Sequence, residues 1–360
     1  MGSTGGQADG MKRYLDYIWP ILGLVAVVWS VELLYSKLKA EAASDLAVRA
    51  LLETGDLWSH IKVIATVIGA KLAVIPPQGY LLAFASTLVA YAALAWYDRI
   101  ALIHLGRQQG ISFFYIAVCS FVTYALSHNI GASVVSGGMV RLRAYTAKGL
   151  SAAEIAVLVA LCSFTFAYGT LMLLGFVLLT EPQIIQPLTS MSRHFAIGDG
   201  AAQLVGVGLL AFCVLYILGA WLKLRPLQIG GFQVVYPRMP IVARQCLAAP
   251  LELIGAAGII YFALPAEGNP GYHIVLGAFL LSFSAGLLSQ VPGGVGVMEA
   301  VFLAVMPGVP ATAVVAALLV WRLFYLLLPL AMAIPAIILF ERSQIGKATK
   351  ALALKPSGER

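Results

Sequence analysis

Two glycine-bearing stretches hold the residues whose types and spacing could do chemistry. The first, Asn129 to Arg143, reads NIGASVVSGGMVRLR and places Arg141 and Arg143 within five residues of the Gly137–Gly138 pair. Adjacent glycines weaken a helix, so the pair is expected to break one. A helix restarting after Gly138 would aim its free N–H groups and both guanidinium groups at one place. That is a site for an anion, and a phosphodiester suits the planar arginine fork. The same residues also fit arginines that snorkel to lipid head groups at the interface. The second stretch, Val291 to Glu299, reads VPGGVGVME, and Arg322 stands on the next apolar segment in VWRLFYLL. A Glu299–Arg322 ion pair would let both residues be buried, either as a structural pair or as the lining of a cavity. Glu252, near the middle of another apolar segment, has no partner visible in sequence; it joins the same network or receives a cationic head group. His128 and Tyr325 read as packing residues, and Glu154, in the capping-box sequence Ser151-Ala152-Ala153-Glu154, as a helix cap. No Ser/His/Asp spacing, metal cluster or phosphate loop appears, so neither nucleophilic catalysis nor a cofactor is expected.

The elements that must position these residues are membrane helices. Of 360 residues, 61% are hydrophobic and 11% charged, far below the roughly 25% charge of soluble domains. The net charge of +7 lies mostly in connections and in a basic tail at 342–360, which suits anionic lipid surfaces rather than nucleic acid. Cys119, Cys162, Cys213 and Cys246 show no metal-like spacing and read as small packed residues.

Residues 1–11 are polar and glycine-rich and read as disordered. Spans are expected over Trp19–Leu34, Tyr80–Tyr97, Ser112–Leu126, Ile155–Leu179, Ala201–Leu222, Ile241–Leu264, Ile274–Leu288 and Ala311–Phe340, the last bent by Pro329 and Pro335. A mixed-charge helix at Ser44–Glu53, an amphipathic helix at Leu57–Ile75 ended by Pro76–Pro77, and a short surface hairpin within Leu227–Pro240 complete the reading. The fold class is thus an all-α polytopic membrane protein. About eight helices fall into two halves, near 12–180 and 200–341, each with a broken, re-entrant element after its third span. Four spans per half imply parallel repeats whose motifs enter from the same face. Broken helices in corresponding positions point to a transporter's binding site.

ALAWYDRIALIHLGR (Ala93–Arg107), ALSHNIGASVVSGGMVRLRAYTAKGLS (Ala125–Ser151), LLSQVPGGVGVMEAVFL (Leu287–Leu303) and VWRLFYLLLPLAMAIPAIILFE (Val320–Glu341) resemble one family. It is the transmembrane region of the bacterial lysylphosphatidylglycerol synthases, or multiple peptide resistance factors, and their stand-alone relatives. The resemblance covers nearly the whole chain in the same order. It implies a flippase-like domain of the bacterial inner membrane that moves phosphatidylglycerol or its aminoacylated form between leaflets, a step linked to antimicrobial peptide resistance. By position it implicates Asn129, Gly137, Gly138, Arg141, Pro292, Gly293, Gly294, Gly296, Glu299 and Arg322; the reading of charges adds Arg143 and Glu252. The aminoacyl-transferase domain of full-length members has no counterpart in this sequence, so the chain is not expected to be an enzyme. The expected partner is an anionic or aminoacylated phospholipid, with a separately encoded synthase and a homodimer compatible with the same reading. The alternatives are an accessory subunit of such a synthase and an intramembrane enzyme acting on lipid-linked substrates.

Overall fold

The computed structural model describes residues 57–130, 133–190, 198–223, 227–229, 232–234 and 237–353. The stretch 1–11 expected to be disordered, the expected first span Trp19–Leu34, the expected helix Ser44–Glu53 and the end of the basic tail lie outside the described residues. The helices in order are α1 (Leu57–Val74), α2 (Pro77–His104), α3 (Phe113–Ile130), α4 (Ser133–Thr146), α5 (Ala152–Thr180), the short α6 (Gln186–Ser190) and α7 (Asp199–Trp221). After two three-residue strands come α8 (Met239–Ala263), α9 (Tyr272–Leu288), α10 (Val297–Val305), α11 (Ala311–Trp321) and α12 (Leu328–Ala353). Among the described residues, six helical segments are long and apolar enough to cross a membrane, and α9 and α10 are shorter apolar helices. The fold is all-α and polytopic apart from the expected hairpin, β1 (Leu227–Ile229) against β2 (Phe232–Val234), antiparallel with Leu227 opposite Val234.

Local chemistry sets the helix ends. Pro77 opens α2 where a missing N–H costs nothing, and Ser151 caps α5 through the expected capping box with Glu154. Glu154 also takes a 2.6 Å bond from Arg107, tying the end of α2 to the start of α5. Helix α1 packs only one side, with Ile68 and Leu72 half-buried, against α11.

The most extensive helix contact is α2 on α8, and the two run antiparallel. Tyr97 donates to Ala249 O, and at the other end a Cβ on Gly79 would lie 2.7 Å from Phe262 O. Between them, a Cβ on Gly255 would lie 2.8 Å from Ala90 N, so only glycine permits this approach.

Helix α3 followed by α4 is not a span followed by a broken element. The two fold back on each other: Tyr115 OH bonds Ala144 O at one end, and Gly137 faces Thr123 and Ser127 nearer the turn. Helices α9 and α10 form a second hairpin in the same way. The units α2–hairpin–α5 and α8–hairpin–α11/α12 therefore correspond. Because each hairpin returns to its own face, only α2, α5 and α7 cross between the start of one unit and the start of the next. Three crossings invert the second unit, which corrects the parallel arrangement expected when Ser112–Leu126 was counted as a full crossing. The hairpins enter from opposite faces, and their turns meet, with Ser127 and His128 beside Gly286, Leu287, Gly293 and Gly294.

Candidate functional site

Gly137 and Gly138 do not break a helix; both lie inside α4. The interruption falls earlier, between Ile130 and Ser133. A Cβ on Gly137 would sit 3.1 Å from Thr123 Cγ2 and 3.6 Å from Arg141 Nη1. The glycine is thus a packing position that closes the hairpin and leaves room for the guanidinium one turn on. Arg141 consequently has no free helix N-terminus beside it. It is buried at 4% exposure and paired with Asp98 of α2. Its Nη2 lies 2.6 Å from Asp98 Oδ1, and its Nε donates to both carboxylate oxygens at 3.2 Å. Tyr145 OH donates to Asp98 Oδ2 at 2.9 Å, and the guanidinium lies 5.0 Å from the Tyr124 ring centroid. A paired, hydrogen-bonded arginine is the form that can be buried in a bilayer. Arg143 points away from Arg141, is exposed, and lines an apolar groove with Tyr115, Met139 and Phe340. The two arginines do not converge on one anion.

The second motif is broken where expected. Pro292–Gly294 forms a single 3₁₀ turn, and Gly293 and Gly296 take φ of 61° and 81°, a region that side chains avoid. Arg322 fills this turn: Nη1 donates to Gly293 O at 2.7 Å, and Nη2 and Nε donate to Glu299 Oε1 at 2.6 and 2.9 Å. Glu299 Oε2 accepts the Gly296 N–H at 2.8 Å, so one carboxylate holds both the loop and the arginine. Pro292 itself is exposed.

Between α11 and α12 the chain widens into a π-helical stretch, Arg322–Leu327. Pro329 has no N–H to return to Tyr325 O, four residues back. Tyr91 OH of α2 donates to that carbonyl at 2.9 Å. Asn129, at the turn of the first hairpin, donates to Leu326 O at 3.1 Å and to Ala125 O at 2.7 Å. Neighbouring side chains thus satisfy backbone that the break would otherwise strand in the membrane.

Glu252 lies on α8 at 1% exposure and does not join either ion pair. Tyr325 OH donates to its Oε1 at 2.5 Å, while Oε2 has no hydrogen-bond partner among the described residues. His128 stacks on Tyr325, with ring centroids 5.3 Å apart, and its enclosed Nδ1 is likewise without a partner. Both residues line a cavity of about 270 Å³ whose wall also includes Ser127, Arg141 and, at its exposed edge, Gln290.

The structure therefore gathers Arg141, Glu252 and the flank of Asn129 around the meeting hairpins. Gly293, Gly294, Gly296, Glu299 and Arg322 stand behind the second turn, and Arg143 lies outside. Asp98 was missed. It lies one residue past the expected end of its span at Tyr97 and reads there as a boundary charge, whereas α2 continues to His104. Tyr91 and Tyr325, ordinary packing aromatics in sequence, are hydrogen-bonding members of the site.

No family model matches the chain. It is 31% identical over 265 residues to an uncharacterized protein of Synechocystis sp., slr0712, covering 73% of this chain and 79% of that one. It is 28% identical over 256 residues to the Escherichia coli inner membrane protein YbhN, covering 70% and 77%. With its helices built for a bilayer and this kinship along most of its length, the chain belongs to the family of slr0712 and is a multi-pass inner-membrane protein.

Proposed function

We propose that the protein translocates a phospholipid between the leaflets of the inner membrane, with the substrate's head group passing through the cavity between the two hairpins. The observation that carries this reading is the inverted pair of re-entrant hairpins whose turns meet at a polar cavity. Secondary transporters build midplane sites from such interrupted helices. The cavity, about 270 Å³, suits a head group and leaves acyl chains in the bilayer. Arg141, its charge balanced by Asp98, lines the cavity as a hydrogen-bond donor for a phosphate; Glu252 and His128 offer acceptors to a donor group. The resemblance to the membrane region of lysylphosphatidylglycerol synthases supports phosphatidylglycerol, plain or aminoacylated, as the substrate. In this reading the chain is a transporter, and any synthesis of the lipid belongs to a separately encoded enzyme.

The test is lipid scrambling by purified protein in proteoliposomes, using fluorescent phosphatidylglycerol with and without an aminoacyl group. Movement is expected in wild type and is expected to drop at least tenfold in Glu252→Ala. Folded protein that moves neither lipid would sink the translocase reading and leave the accessory-subunit alternative. Chemical conversion of the lipid in the same vesicles would instead indicate an intramembrane enzyme.

A further inference from the structure

The described residues bury three acidic side chains, Asp98, Glu252 and Glu299, but only two arginines lie against them. Arg141 is committed to Asp98 and Arg322 to Glu299. Glu252 is the odd charge, and what surrounds it makes the imbalance consequential. Helix α2 presents Tyr91, whose hydroxyl is spent on Tyr325 O, and Tyr97, whose hydroxyl lies 3.3 Å from Ala249 O and also beside the Glu252 carboxyl; both are neutral donors, not counter-ions. The π stretch presents Tyr325, bonded to Glu252 Oε1. Helix α3 presents His128 and Tyr124; α5 presents Cys162; α4 presents Arg141 across the cavity, already neutralised; the cavity-facing part of α9 is Phe283 and Leu287. Towards α7, Tyr216 donates to Gln245 Oε1 of α8. An ionised carboxylate in this setting has no counter-ion, and an isolated buried charge neutralises by taking up a proton. Tyr325 occupies Oε1, which leaves the enclosed and unpartnered Oε2 as the place for that proton.

We propose that Glu252 is a proton-binding site in the cavity wall, and that the protein exchanges this proton for a cationic group of its lipid substrate. The proposal rests on the translocase reading above. In the resting state the proton sits on Oε2. When an ammonium group enters, the Oε2–H bond breaks, the proton leaves through the cavity past Gln290, and the carboxylate pairs with the ammonium. Net charge in the site is unchanged at every stage, so the bilayer never holds an uncompensated ion. Return of the emptied site requires a proton from the side to which the lipid was released.

Two measurements test this. The first is infrared spectroscopy of the purified, folded protein: a protonated carboxyl band at neutral pH is expected, absent in Glu252→Gln and shifted in Tyr325→Phe by loss of the hydrogen bond. No such band in folded wild type overturns the proposal without reference to transport. The second uses proteoliposomes with a pH difference across the membrane and two probes, lysylphosphatidylglycerol and phosphatidylglycerol. One-for-one exchange is expected to sustain an asymmetry of about tenfold per pH unit for the amine-bearing lipid, the same free energy in either gradient. Glu252→Gln is expected to abolish that asymmetry, and a protonophore to collapse it in wild type. Lipid movement indifferent to the pH difference overturns the exchange while leaving the translocase reading intact. If neither lipid moves, the translocase reading and the exchange fall together.

Discussion

Asp98 and Arg141 come from different helices and are each tolerable in the membrane because of the other. Breaking a buried pair on one side leaves an uncompensated charge, a loss of about 3–5 kcal/mol. Asp98→Asn is therefore expected to lower the melting temperature of detergent-purified protein sharply. The double change Asp98→Leu/Arg141→Met should recover most of that loss while transport stays impaired. If the single variant melts like wild type, the pair is not holding α2 to α4. The sequence exposed this residue scale unevenly. Glu299 and Arg322 could be matched because both lie in unmistakably apolar segments. Ser151 and Glu154 could be matched because a cap is local. Asp98 could not, since its depth depends on where α2 ends, and a span boundary is poorly marked by hydropathy when Asp98 and Arg99 stand side by side. Glu252 was visible as an intramembrane acid, but the absence of a partner is a statement about three-dimensional neighbours.

At the scale of elements, the π stretch before Pro329 shows how one missing N–H is answered by another helix. Tyr91→Phe strands Tyr325 O in the interior and is expected to cost about 1–3 kcal/mol. In a Pro329→Ala background the restored N–H can reach that carbonyl, so the same Tyr91 change should then cost little. A double-mutant cycle by thermal denaturation checks this, and additive losses would refute it. The first hairpin makes a related point about glycine. A Cβ on Gly137 would lie 3.1 Å from Thr123 Cγ2, whereas one on Gly138 would meet nothing nearer than Val159 Cγ2 at 3.9 Å. Gly137→Val should therefore destabilise the hairpin, and Gly138→Ala should be neutral or slightly stabilising, as read by melting temperature. A glycine pair reads alike in sequence whether it ends a helix or lets another helix approach. The expected break at Gly137–Gly138 failed for that reason, while the one at Pro292–Gly296 held because proline and positive-φ glycines leave no helical alternative.

For the whole molecule, membrane spans were legible from hydropathy, but the relation of the two halves was not, because it turns on whether α3 crosses or returns. Once the hairpins are recognised, the connections sort by face. Among the described residues, one face carries Arg107, Lys148, Lys223 and Arg238, and α12 leads Arg342 to it; the other has Lys71 near it, along with Glu181, Asp199 and Glu267. By the positive-inside rule, this excess of arginine and lysine predicts that the first face is cytoplasmic. Single cysteines replacing Lys148 or Lys223 should react with an impermeant thiol reagent only from the cytoplasmic side, and one replacing Glu267 only from the opposite side. Labelling of Lys148→Cys and Glu267→Cys from the same side would dismiss the inverted arrangement. The two ion pairs also differ in chain order, and this bears on biosynthesis. When the ribosome delivers Arg141, its partner Asp98 is already in place on α2. When it delivers Glu299, Arg322 has yet to be translated. The first hairpin can therefore enter the bilayer as it emerges, whereas the second must wait at the translocon, unpaired, until α11 arrives. Ribosome-bound chains arrested with Arg322 still in the exit tunnel should leave the second hairpin open to protease while the first is already protected.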